Sequence, residues 1–138
     1  MIGLDTNVLA RYYIDDKADA EAQRQRLAAR RLIESGQPLM VSKSVILELE
    51  WVMRGYYGFD QGEVASVMRH LLEQAHITVE DRDGIERALS TCDAGIDFAD
   101  ALHHASYKPC ATVASFDDRK FARRAKKLGL APAVVVLT

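Results

Sequence analysis

Five carboxylates fall where chemistry could be done: Asp5, Glu48, Asp100 and Asp117, with Asp97 one helical turn before Asp100. Asp5-Thr6-Asn7 follows the apolar run Ile2 to Leu4, and Ser115-Phe116-Asp117-Asp118 follows the run Ala111 to Ala114. Open parallel sheets bind ligands beyond the carboxyl ends of their strands, so both acids stand where a ligand is expected, and on one rim if the two strands are neighbours. Taken singly, each acid serves equally well as a helix cap or as the solvated side of an amphipathic helix. Gathered at one cleft they would repel one another by about 4 kcal/mol per pair at about 4 Å and an effective dielectric near 20, so the set calls for a neutralising cation. All-oxygen ligands of this kind suit Mg²⁺, with Mn²⁺ as a substitute. Metal-carboxylate sites hydrolyse phosphodiesters by activating a water and stabilising the departing oxyanion, with no amino-acid nucleophile.

Other chemistries have less support. His70, His76, His103 and His104 form no HExxH motif, and Cys92 and Cys110 lie at no metal-ligand spacing, which disfavours zinc. His104, one turn beyond Asp100, is expected beside the acidic site or on the surface. There is no GxSxG elbow, Walker A loop or GxGxxG, the simplest marks of acyl transfer, NTP hydrolysis and dinucleotide redox chemistry. The two cysteines are expected to be reduced, half-buried thiols. No apolar stretch reaches membrane-spanning length and no secretory leader is visible, so the expected setting is the cytoplasm, without a membrane partner.

The elements that must hold these acids read as an alternation of strand and helix. Strands are expected at Ile2 to Leu4, Leu39 to Val41, Ile77 to Val79, Ala111 to Ala114 and Ala133 to Leu137. Helices are expected over 6–13, 17–35, 43–54, 61–75, 82–92, 97–107 and 118–128, with Asp60 and Glu63 as a capping pair and Gly36 and Gly129 as stops. This order predicts one α/β domain over 1–138 with a mainly parallel five-stranded central sheet, because parallel neighbours need a crossover helix. On helix 43–54 the apolar stripe is Val45, Ile46, Leu49, Val52 and Met53, and Glu48 and Glu50 fall on its opposite flanks, so only one can readily serve a site. On helix 97–107, Phe98, Ala101, Leu102 and Ala105 share the core face, while Asp97, Asp100 and His104 stand on another.

Asp5-Thr6-Asn7, the glutamate of Val45-Ile46-Leu47-Glu48, Asp97-Phe98-Ala99-Asp100-Ala101-Leu102 and Ser115-Phe116-Asp117 together closely resemble, in order and spacing, the PIN-domain nucleases. Within them the compact length and the Glu48 to Val52 context look most like the VapC-type toxins of bacterial toxin-antitoxin pairs. The resemblance implies a Rossmann-like three-layer fold, a Mg²⁺ or Mn²⁺ cofactor, endonucleolytic cleavage of RNA and inhibition by a cognate antitoxin. Carried over by position, Asp5 and Asp100 are the principal metal ligands, Glu48 and Asp117 complete or orient the shell, and Thr6, Asn7 and Ser115 hydrogen-bond it. Asp97 is a candidate additional ligand. Ser115 stands where many relatives have threonine, and Asp118 either partly substitutes for Asp117 or caps the last helix, with capping preferred. A PIN nuclease of RNA maturation or decay, and a PIN-like module that only binds RNA or protein, are the alternatives.

Charge and aromatic distribution suggest two surfaces. The chain carries a net charge of -2, yet residues 1–104 hold 11 Lys and Arg against 18 Asp and Glu, whereas residues 105–138 hold 7 against 2. Arg119, Lys120, Arg123, Arg124, Lys126 and Lys127 crowd the helix after Asp117, either as a track for the RNA phosphate backbone or as a solvated helix end. Leu47 and Trp51 lie opposite the core stripe of helix 43–54, with Tyr56, Tyr57 and Phe59 following. They either contact an antitoxin or the second subunit of a homodimer, or pack beneath helix 61–75.

Overall fold

The computed structural model describes residues 1–138, and their contacts divide them into two compact units, Met1–Glu80 and Asp81–Thr138. The first contains β1 (Ile2–Gly3), α1 (Thr6–Tyr13), α2 (Ala20–Ile33), β2 (Leu39–Val41), α3 (Lys43–Trp51), a π-helical turn (Val52–Tyr56), α4 (Gln61–Glu73) and β3 (Ile77–Val79). The second contains α5 (Arg82–Asp93), α6 (Phe98–Ser106), β4 (Thr112–Ser115), α7 (Phe121–Leu128) and β5 (Ala133–Val136).

In the first unit the strands run parallel in the order β1-β2-β3, with Ile2 opposite Leu39 and Leu39 opposite Ile77. Central β2 is the most apolar of the three, and Leu39 and Val41 are fully buried with Leu9, Ile33, Ile46, Leu49, Met53, Met68 and Leu71. Helix starts follow their caps. Asp60 and Glu63 form the reciprocal capping box that their spacing signals. Asp19 accepts from the N–H groups of Glu21 and Ala22, so α2 begins at Ala20 rather than at 17. Beyond α3 the chain widens instead of stopping at 54. Tyr57 N–H reaches back five residues to the Val52 carbonyl, and Gly58, with φ of 69°, ends the coil.

In the second unit β4 and β5 pair in parallel, Thr112 opposite Ala133 through Ser115 opposite Val136. Ile85, Ala88, Ile96, Ala101, Leu102 and Ala125 make its core. The five strands therefore form a three-stranded and a two-stranded parallel sheet, in place of the single five-stranded sheet expected. Apolar runs show which residues extend, but pairing is decided by backbone hydrogen bonds that leave no mark on side-chain type. Both cysteines are free thiols, but neither is half-buried: Cys92 is buried and Cys110 exposed. No helix is long and apolar enough to cross a membrane.

Candidate active site

In the first unit, Leu4 prolongs β1 by donating to the Met40 carbonyl, and the chain then leaves the sheet at Asp5. Asp5 has extended backbone and caps α1, its Oδ1 accepting the Thr6 N–H at 2.8 Å while the residue stays exposed. Thr6 is buried, and its Oγ1 has no hydrogen-bond partner. A buried hydroxyl without a partner costs about 1–3 kcal/mol, so this atom, adjacent to a capping carboxylate, is poised for a bound water or polar ligand. Asn7 is exposed one residue on.

On α3 the two glutamates separate cleanly. Glu50 is 3% exposed and its Oε1 accepts from Arg54 Nε at 2.7 Å, whereas Glu48 is exposed. The periodicity placed them on opposite flanks; burial identifies Glu48 as the one open to a ligand. Glu80, which the sequence reading passed over, follows β3 at the same end of the sheet. Its Oε1 accepts the Lys43 N–H at 2.8 Å and so supports the start of α3. The run Ile77 to Val79 followed by an acid carried the same signal as Asp5 and could have found it.

In the second unit, Asp97 heads α6 without making a side-chain cap. Partial burial and then the charges of Asp97 and Asp117 push the Asp100 carboxyl above its ordinary range, with His103 drawing it back. These three acids therefore feel one another within this unit. Asp117 is pulled the opposite way. The Lys120 N–H foremost, with those of Phe121 and Arg119, holds its carboxyl below the usual range. Its Oδ1 accepts from Lys120 and Arg119 at 3.0 and 3.2 Å, and Ser115 Oγ accepts the Asp117 N–H at 3.0 Å. Asp117, not Asp118, is thus the turn-forming acid, and because the turn uses these N–H groups α7 starts at Phe121 rather than at 118.

His104 does not stand beside the acids. It is 4% exposed, its Nε2 lies 2.7 Å from the Pro132 carbonyl, and its ring meets Phe121 edge-on. The exposed imidazole that acts on Asp100 is His103. Six cations on and before α7 are exposed, but Arg124 is already committed, donating to the Gly95 carbonyl at 2.7 Å. In the first unit Trp51 and Tyr56 are 60% and 76% exposed, so neither is packed away beneath α4. Leu47 and Tyr57 are half-buried, the Tyr57 hydroxyl donating to Asp16 Oδ2.

Each unit presents oxygen donors of the kind a hard divalent cation takes: in the first, exposed carboxylates at Asp5 and Glu48 and an orphaned hydroxyl at Thr6; in the second, an exposed carboxylate at Asp117 and a partly buried one at Asp100, raised by burial and then by its acidic neighbours. Within neither unit do three acid, histidine or cysteine side chains close into a metal cage. Among curated proteins none matches the chain. The PIN domain family model matches residues 2–127, a span that takes in Asp5, Glu48, Asp97, Asp100 and Asp117. With four of its five acids at strand ends and helix starts of an α/β chain and Glu48 within α3, and a match over nearly its whole length, the chain belongs to the PIN-domain family and has its nuclease-type fold.

Proposed function

We propose that the chain is a Mg²⁺- or Mn²⁺-dependent endoribonuclease, the toxin of a VapBC-type toxin-antitoxin pair. The observation that carries the nuclease reading is the PIN-domain match over residues 2–127, a span that holds Asp5, Glu48, Asp97, Asp100 and Asp117; the Asp100 carboxyl, raised by burial and then by the charges of Asp97 and Asp117, agrees with a site that takes a cation. Asp5 and Asp100 would hold the ion, with Glu48 and Asp117 completing or orienting the shell and Asp97 as an additional ligand. When bound, a divalent cation supplies a neutral-pH water nucleophile and charge neutralisation at the phosphate.

The remaining work falls to groups of this chain. Ser115 fixes the turn at Asp117 and the Thr6 N–H holds the Asp5 carboxylate, while the Thr6 hydroxyl and Asn7 would hydrogen-bond the shell once it is formed. Arg119 and Lys120, directly after Asp117, meet the RNA backbone, and His103 contributes a third donor near Asp100. Trp51 and Tyr56 form the contact with the cognate antitoxin or with a second subunit of a homodimer, because two exposed aromatics on adjacent turns suit an interface better than water. The toxin assignment rests on the local resemblance around Glu48 to Val52.

Incubating the purified chain with end-labelled total RNA and Mg²⁺ or Mn²⁺, beside an EDTA control, tests the reading. Discrete metal-dependent cuts are expected. RNA that is bound but left intact with either metal would replace this reading with that of a PIN-like binding module.

A further inference from the structure

One face of the second unit is left without a role by the nuclease reading. Between α7 and β5 runs a groove of about 780 Å³, lined by Ala122, Ala125, Leu130 and Val136 together with Arg123 and Lys126. Ala122 and Ala125 are buried in its floor, and both cations are exposed. Of the neighbouring cations, Arg124 donates to the Gly95 carbonyl, and the Arg119 and Lys120 side chains, whose backbone N–H groups close the turn on Asp117, are those the nuclease reading uses.

The strand beside the groove is open. β5 hydrogen-bonds only to β4. Leu137 N–H goes to the Ser115 carbonyl, so by alternation Val134 and Val136 turn their N–H and C=O groups to the other, unpaired edge. That edge reads Ala-Val-Val-Val-Leu, with Val135 and Leu137 43% and 46% exposed and no charge or proline along it. Sheet edges of soluble proteins ordinarily carry such protection unless something covers them.

We propose that the α7–β5 face is a docking site for an extended peptide bearing aliphatic and acidic side chains. The peptide backbone adds to the free edge at Val134 and Val136, its aliphatic groups fill the floor over Ala122 and Ala125, and its carboxylates meet Arg123 and Lys126. Charge selects this occupant: the rim is cationic, as is the whole 105–138 segment. RNA fits less well, because the apolar floor offers a phosphate backbone nothing, whereas it takes the aliphatic groups of a peptide.

The test is fluorescence anisotropy on the full-length chain, with a labelled peptide of about ten residues alternating Val and Glu. The same peptide with Lys for Glu, and an RNA oligonucleotide, serve as competitors. Saturable binding of the acidic peptide is expected, weakened about tenfold or more by Arg123→Glu with Lys126→Glu, two surface changes that leave the melting curve in place. Val134→Pro, which removes only an outward N–H, is expected to weaken it as well. Equal binding of the Lys peptide, indifference to the charge reversals, displacement by RNA, or a dimer of the chain alone that Val134→Pro dissolves would each overturn the proposal.

Discussion

Replacing Asp100 with asparagine should make the protein more stable while disabling it. The Asp100 carboxyl is raised by partial burial and by the charges of Asp97 and Asp117. A carboxyl raised in the folded state binds its proton more tightly there than in the unfolded chain. Its ionised form at neutral pH therefore opposes folding; the penalty is absent below the unfolded value, grows between the unfolded and folded values and is complete above the folded one. Asparagine keeps the shape and removes the charge. Because the side chain is only partly buried, solvent screening limits the gain to about 0.5–1 kcal/mol, or about 2–4 °C in Tm for a chain of this size. The assay is thermal unfolding of both proteins in EDTA across a pH series. Asp100→Asn should melt higher at neutral pH and together with the wild type at acid pH, where the carboxyl is protonated in both states. A lower neutral-pH Tm, or a gain that persists into acid, would refute the claim that burial and the neighbouring acids disfavour the ionised Asp100.

Further expectations concern stability and partners. Arg54→Ala strips the cation from Glu50, which is 3% exposed; it should cost about 2 kcal/mol by urea unfolding, the low end for a broken buried pair because Arg54 is half exposed. His104→Ala should cost about 2–3 kcal/mol, through the lost bond to Pro132 and the space left against Phe121, whereas His103→Ala should change stability by less than about 0.5 kcal/mol. Trp51→Ala should leave the melting curve within about 0.5 kcal/mol and weaken capture of the cognate antitoxin by about tenfold or more, read by titration calorimetry.

What the sequence made legible is what local chemistry decides. Asp60 with Glu63 announced a helix start, Ile2 to Leu4 before Asp5 announced a strand delivering an acid, and the three-residue spacing put Asp97 and Asp100 close enough to interact. What it could not settle depends on tertiary surroundings. Periodicity separated Glu48 from Glu50 but could not say which flank meets a neighbouring element. His103 and His104 differ by 100° around α6, and only the arrival of Pro132 and Phe121 made His104 the buried one. Adjacent Asp117 and Asp118 look equally able to cap, yet the turn after β4 presents its N–H groups to Asp117 alone. Strand pairing was least legible, since a two-residue β1 carries almost no side-chain record of its neighbours.

The nuclease proposal requires that Asp5 and Asp100 each be needed for metal-dependent cleavage. Single-turnover cutting of an end-labelled RNA by wild type, Asp5→Asn and Asp100→Asn, each with Mg²⁺ and Mn²⁺ and each paired with a binding measurement, tests it most directly. Both variants should lose at least about a hundredfold in rate while still binding the RNA. Wild-type cutting by either variant, or cutting that survives EDTA, would contradict it.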